Sequence, residues 1–173
     1  MTDIAIPGPP APPHRPITAT SAQAAVSISE ADAPFVDLGD GSAMQLLQVD
    51  LAQGIWVVRL RFDPGYRVAR HYHTGPVYAF TTRGAWWYLE YPDQINRAGS
   101  FLFEPAGSVH TLMVPDSQEG LTEVWFTIFG ANVDIDATGA VTGITDAAAA
   151  LGIYRAFCRR AGVSSDKVLV SGA

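Results

Sequence analysis

Between Trp56 and Phe62 apolar and polar positions alternate: Trp56, Val58, Leu60 and Phe62 fall on one side of an extended segment, and Val57, Arg59 and Arg61 on the other. That pattern predicts a half-buried antiparallel strand. A first strand with mixed patterning is expected before it, over Met44–Leu51. After it the runs Tyr66–His73, Val77–Thr81, Trp86–Tyr91, Ser100–Glu104, Val109–Val114 and Glu123–Phe129 follow one another between clusters of Gly, Pro, Asp and Asn. Short, evenly spaced strands with turn residues between them are the signature of an all-β sandwich or barrel.

The two ends of the chain read differently. Six of the twelve prolines (Pro7, Pro9, Pro10, Pro12, Pro13 and Pro16) lie within the first twenty residues. Proline cannot donate to a sheet or helix ladder, so residues 1–30 are expected to form an extended, polyproline-like arm. Residues 31–135 then form the barrel, and 136–173 a loop and a C-terminal helix packed against it. The segment Gly130–Gly143 reads as a short hairpin or loop able to lie over the barrel mouth; its alternating acids are too few for an EF-hand. Asp146–Ala161 is the one convincing helix, with Thr145 or Asp146 as its cap, Leu151, Tyr154 and Cys158 on one face, and Gly162 at its end.

Composition narrows the function classes. With 173 residues and 48% hydrophobic content the chain reads as one domain with an ample core. A net charge of −6 argues against nucleic acid or an anionic membrane as partner. No apolar run reaches the ~20 residues that span a bilayer, and no signal-peptide layout opens the chain, so a cytoplasmic location is expected. The single cysteine, Cys158, excludes an internal disulfide.

The chemistry concentrates in two segments. In an extended strand residues two apart share a face, so His71 and His73 reach the same point. His110 follows a Pro105-Ala106-Gly107 turn, and the fourth histidine, His14, sits in the proline-rich arm. Three converging imidazoles make a facial set suited to a first-row divalent metal, among them Fe(II), Zn, Mn and Ni. The alternative is surface or hydrogen-bonded core histidines. The spacing of Gly65, His71-Tyr72-His73 and Gly84, and then of Gly99-Ser100, Pro105-Ala106-Gly107 and His110, resembles the paired motifs of the cupin superfamily. This resemblance implies a double-stranded β-helix, the jelly-roll barrel. Two positions depart from the pattern: Val77, or Tyr78 in a longer register, stands where a metal-binding Glu is expected, and Val114 where an Asn often sits.

A carboxylate can come from across a hairpin. If Arg83-Gly84 is a two-residue turn, Val77 pairs with Glu90, and opposed residues share a face. A three-residue loop with a Gly bulge would instead turn Glu90 outward as a solvated carboxylate. Trp86 and Tyr88 share a face with Glu90, and Trp125 lies on a second aromatic stripe; such residues line a substrate pocket or pack the core.

The wording around the motifs, from His71-Tyr72-His73-Thr74-Gly75-Pro76-Val77 through Trp86-Trp87-Tyr88-Leu89-Glu90 to Phe101-Leu102-Phe103-Glu104-Pro105, is similar to the 2,4'-dihydroxyacetophenone dioxygenase family. The resemblance implies a non-haem iron enzyme that cleaves a carbon–carbon bond of a hydroxyketone with O₂, the related acetylacetone dioxygenases acting on β-diketones. It puts iron on His71, His73 and His110, with Glu90 matched to a carboxylate ligand. A non-redox lyase or isomerase, or a binding or sensing module without turnover, uses the same barrel. A sensor of the anti-sigma kind would carry a further helical domain, for which this length leaves no room. A homodimer or homotetramer is expected, with the residue 1–20 arm contributing, because a proline-rich extension gains little order by folding on its own and jelly-roll edges invite pairing with a neighbour.

Overall fold

The structure is a computed structural model and describes residues 25–172. Most of the arm expected over residues 1–30, with His14, lies outside the described residues. The strands run in chain order as β1 (Val36–Asp37), β2 (Ser42–Asp50), β3 (Ile55–Phe62), β4 (His71–His73), β5 (Val77–Arg83), β6 (Ala85–Tyr88), β7 (Tyr91–Arg97), β8 (Phe101–Glu104), β9 (Leu112–Met113), β10 (Thr122–Phe129), β11 (Asn132–Ile135) and β12 (Val141–Thr145). Helix α1 (Ala147–Ala161) and a last strand, β13 (Leu169–Ser171), complete the fold.

One sheet has the order β1-β2-β3-β10-β5-β8, with β13 parallel to β2. The facing layer is built from β12-β11-β4 and β7-β6-β9, which are stitched together where His71 pairs with His110 and Arg67 with Met113. Two layers, antiparallel apart from β13, close in this way into a barrel, as the strand spacing predicts, and its form is the jelly roll that the cupin resemblance implies. The alternation read over Trp56–Phe62 holds, since Trp56, Val58 and Phe62 point into the core with Val124, Phe126 and Ile128 of β10 opposite Leu60, Val58 and Trp56. Among the described residues no helix is long and apolar enough to cross a membrane.

The helix lies where its caps place it. The Asp146 side chain accepts from the Ala149 amide at 2.8 Å, and Gly162 closes the helix at φ 69°, a conformation that costs a residue with a Cβ. Ala147, Ala150, Leu151, Tyr154 and Cys158 form its buried stripe against β1 and β2. The Tyr154 hydroxyl donates to the Pro34 carbonyl at 2.7 Å, so burial of the phenol leaves no orphaned donor.

Three expectations change. The run Tyr66–His73 is a strand only from His71; before it the chain is irregular and touches its neighbour at single positions such as the Val68 amide on the Leu112 carbonyl. Strand β7 was not legible, because all but one of its residues are exposed and no alternation marks it; Pro92 is tolerated there at a sheet edge. The hairpin that would pair Val77 with Glu90 does not form. Strand β5 lies between β10 and β8, whereas β6 lies between β7 and β9, so Arg83-Gly84-Ala85 is a corner at which the chain changes sheets. Gly84 has φ 74°, and a Cβ there would stand 2.8 Å from the Thr122 Cα, so only glycine lets this corner close on β10.

Candidate metal centre

His71 and His73 are the first and third residues of β4, and both side chains are buried while Tyr72 between them is not fully so. His110 is held opposite His71 by two main-chain hydrogen bonds, of 3.0 and 2.9 Å, and directly opposed residues share a face. The Pro105–Ser108 turn is latched to the same strand, since the Gly107 amide donates to the His73 carbonyl at 2.8 Å. The outcome is three imidazoles with centroids 4.5 to 5.6 Å apart and one potential ligand atom from each within 4.8 Å of the others.

Their protonation suits a cation. Burial, reinforced by the neighbouring imidazoles, holds His73 and His110 at about 3, and burial also lowers His71. All three are therefore neutral near pH 7 and offer lone pairs. His71 Nδ1 lies 2.6 Å from the Ala69 carbonyl, which assigns its proton to Nδ1 and leaves Nε2 facing inward. His110 Nε2 lies 3.1 Å from His71 Nε2, a contact between acceptors that a shared cation would relieve.

A fourth group completes the cluster. Glu104 ends β8 directly opposite Val77, and its Oε2 lies 3.4 Å from both His73 Nε2 and His110 Nε2. Because those imidazoles are neutral, neither contact is an ion pair at neutral pH. Oε1 accepts a hydrogen bond from the Tyr88 hydroxyl, and Oε2 is buried with no hydrogen-bond partner. Burial raises the Glu104 carboxyl to about 7, against the lowering effect of the Tyr88 bond. A buried carboxylate oxygen without a donor is costly, and a divalent cation held by His71, His73 and His110 is the partner this donor set fits.

The expected carboxylate was Glu90, and its geometry differs. Its oxygens accept from the Thr111 amide at 2.8 Å and the Thr111 hydroxyl at 3.1 Å, and the residue is exposed. Glu90 thus braces the residue that follows His110. Glu104 occupies the cross-strand position assigned to it, because the partner of Val77 is β8 and not β6. The signal was present: Leu102 and Glu104 alternate with the outward-facing Phe101 and Phe103, which turns an acid inward immediately before the Pro-x-Gly turn.

The cluster opens on an apolar cavity of ≈ 220 Å³ whose polar lining includes His71, His73, Tyr88 and Glu104. Phe62 and Phe126 contribute walls, while Asn132, Thr145 and Ile153 come from the C-terminal hairpin and α1. The segment after Phe129 thus helps to enclose the site. Of the expected pocket aromatics only Tyr88 lines this cavity, stacked on His110 at 4.2 Å. Trp86 is wholly buried behind Tyr88 and donates to the Thr81 hydroxyl at 2.8 Å; Trp125 lies on the outer face of β10, near Arg59. Phe126 and Ile153 were missed because nothing local distinguishes a cavity wall from core packing.

Comparisons with known proteins agree with this architecture. The profile of the ChrR cupin-like domain matches residues 23–131. A protein with a cupin-like fold from Ralstonia eutropha JMP134 is 32% identical, with a TM-score of 0.80 over 88% of this chain and 96% of that one. An RmlC-like cupin from the same organism is 21% identical, covering 80% of this chain and 90% of its own at a TM-score of 0.75. An acetylacetone dioxygenase from Acinetobacter johnsonii is 24% identical, covering 79% and 94% at a TM-score of 0.68. The last two are likenesses of fold. No curated protein matches the chain. The profile spans more than half of the chain, so the chain belongs to the ChrR cupin-like domain family.

Proposed function

We propose that the protein is an iron-dependent dioxygenase that cleaves a carbon–carbon bond in a small hydroxyketone or β-diketone. The observation that carries this reading is the cluster of three neutral, buried imidazoles and one donor-poor carboxylate beside an apolar cavity of ≈ 220 Å³. That volume lies below the roughly 300–1,000 Å³ of cavities for drug-sized ligands and suits a compact substrate. The likeness of the motif residues to the 2,4'-dihydroxyacetophenone dioxygenases supports the hydroxyketone, and the acetylacetone dioxygenase fold supports the β-diketone.

His71, His73 and His110 would hold the metal. Iron(II), when bound, supplies a Lewis-acidic centre for two chelating oxygens and the one-electron chemistry that O₂ requires. Glu104 Oε2 is placed to take the proton that a ketone loses on enolisation, and Tyr88 fixes the carboxyl group through Oε1. Phe62, Phe126 and Ile128 surround the substrate with apolar wall and exclude water. In the overall reaction both atoms of O₂ enter the two products of the cleaved bond, so one O₂ is consumed per bond cleaved, with two acids formed from a hydroxyketone and one acid from a β-diketone.

Oxygen uptake by the iron-loaded protein, screened with aryl hydroxyketones and β-diketones and matched against substrate consumed, tests the proposal. Equimolar uptake in the Fe(II) form and none in the Zn(II) form is the expected result. If fully iron-loaded protein binds these compounds without consuming oxygen, the site belongs to a non-redox or sensing cupin.

A further inference from the structure

The cavity beside the metal centre carries two polar side chains that the cluster does not use. Besides His71, His73, Tyr88 and Glu104, its lining includes Asn132 and Thr145, both partly buried. The indole N–H of Trp56, also in the lining, is already taken by the Gly130 carbonyl at 3.1 Å. Sheet register puts Asn132 and Thr145 in line with a histidine of the cluster. Asn132 on β11 is the direct partner of His73 on β4, and Thr145 on β12 is the direct partner of Asn132. Opposed residues share a face, so the three side chains form one row, with the backbone of Asn132 ~4.8 Å and that of Thr145 ~9.6 Å from β4. Ile144, beside Thr145, points the other way and is 63% exposed.

The orientation of Asn132 is settled by its neighbour. Its Nδ2 donates to Asp134 Oδ1 at 2.9 Å, and since a carboxylate only accepts, the amide Oδ1 is left as an acceptor. Asp134 has room for this because Gly143 is its partner on β12, where a Cβ would stand 2.9 Å from Asp134 Oδ2. Among the described residues neither Asn132 Oδ1 nor the Thr145 hydroxyl has a hydrogen-bond partner. The row therefore offers one free acceptor and, next to it, one group that both donates and accepts. A hydroxyl, which does both, is the complement of that pair.

We propose that Asn132 and Thr145 are specificity-determining residues that hold a hydroxyl at the end of the substrate remote from the metal, so that the cavity prefers a ring-hydroxylated aryl hydroxyketone to a β-diketone with alkyl ends. The substrate hydroxyl donates to Asn132 Oδ1 and accepts from the Thr145 hydroxyl. A ketone chelated at the histidines carries a hydroxyl to this row across a rigid spacer such as an aryl ring, which the apolar walls Phe62, Phe126 and Ile128 suit. The terminal methyl groups of a small β-diketone offer no donor and leave the pair unmatched. The inference rests on the reading of the metal centre given above and adds to it what the far end of the substrate must be.

Isothermal titration calorimetry of the full chain loaded with Zn(II), which accepts the chelating oxygens without consuming O₂, tests it. The probes are 2,4'-dihydroxyacetophenone and 2-hydroxy-4'-methylacetophenone, which replaces the ring hydroxyl by a methyl group of similar size. A site built to pair a hydroxyl discriminates against the analogue lacking it, and because Asn132 and Thr145 are only partly buried the expected preference is about tenfold or more rather than the ~10⁴ of an enclosed site. In Thr145→Val and in Asn132→Leu the ratio of the two affinities should fall to about threefold or less. Both compounds are measured on each variant, so a loss of fold, which weakens both alike, does not imitate a loss of the ratio. Equal affinities in the parent protein, or a ratio that survives in both variants, would overturn the proposal while leaving the metal centre standing. Binding of neither compound would overturn the reading of the metal centre and the proposal with it.

Discussion

Two carboxylates in this protein are almost equally hidden from water, Glu104 at 3% and Glu123 at 7% exposure, yet they are driven in opposite directions. Glu123 lies on the outer side of β10, where Arg59 and Arg61 donate to it at 2.6 and 2.7 Å and the Thr82 hydroxyl at 2.7 Å. Burial opposes its charge, but those donors outweigh burial and bring the carboxyl down to about 2. Glu104 has one donor, the Tyr88 hydroxyl, and burial raises it to about 7. A structural carboxylate is saturated with donors, whereas one left short of them beside three lone pairs is arranged for something that arrives later.

The sharpest break of this contrast comes from exchanging each acid for its amide. Glu104→Gln is expected to lower turnover by roughly 100-fold or more while the substrate dissociation constant changes little, the magnitude typical of removing a positioned proton acceptor. Thermal stability should hold in that variant, because a donor-poor charge has been removed. Glu123→Gln should do the reverse, costing about 2–3 kcal/mol of stability by leaving two guanidinium groups short of a partner, with turnover unchanged. Denaturant titration beside steady-state kinetics on both variants reads the pair. Equal kinetic losses in the two would erase the distinction.

Acid separates the regions again. The folded-state pKa of Glu123, about 2, lies below its ordinary value of 4.5, so its stabilising contribution is complete above pH 4.5 and is lost as pH falls toward 2. Unfolding free energy measured from pH 6 to 2 should therefore fall more steeply in the parent protein than in Glu123→Gln. Parallel curves would show that the Arg59 and Arg61 contacts do not lower its pKa. The smallest effect belongs to Glu90. Glu90→Gln keeps an acceptor for Thr111 and should cost about 1 kcal/mol or less, with a several-fold loss in turnover if the brace behind His110 matters to its aim.

The same contrast explains what was legible in advance. His71 and His73 could be placed together because strand periodicity is a local property, and His110 because a Pro-Gly turn ends a strand wherever it falls. The helix was legible from Asp146 and Gly162, whose capping roles depend on a few neighbours. Glu104 was not, since its importance rests on which strand lies beside Val77, and that depended on reading Arg83-Gly84-Ala85 as a corner between sheets. Both carboxylates look alike in the chain; only long-range pairing supplies Arg59 and Arg61 to one and the histidines to the other. The outward-facing β7 and β13 carried no alternation from which to infer them.

The central claim is that Glu104 is left without donors because a cation belongs beside it, held by His71, His73 and His110. Anaerobic titration of the metal-free protein with Fe(II), followed by elemental analysis after desalting, tests it most directly, with His71→Ala, His73→Ala and His110→Ala measured alongside. One iron per chain in the parent and most of it lost in each variant, with the β-sheet circular dichroism retained, is the result expected. Full occupancy in all three variants would contradict the account.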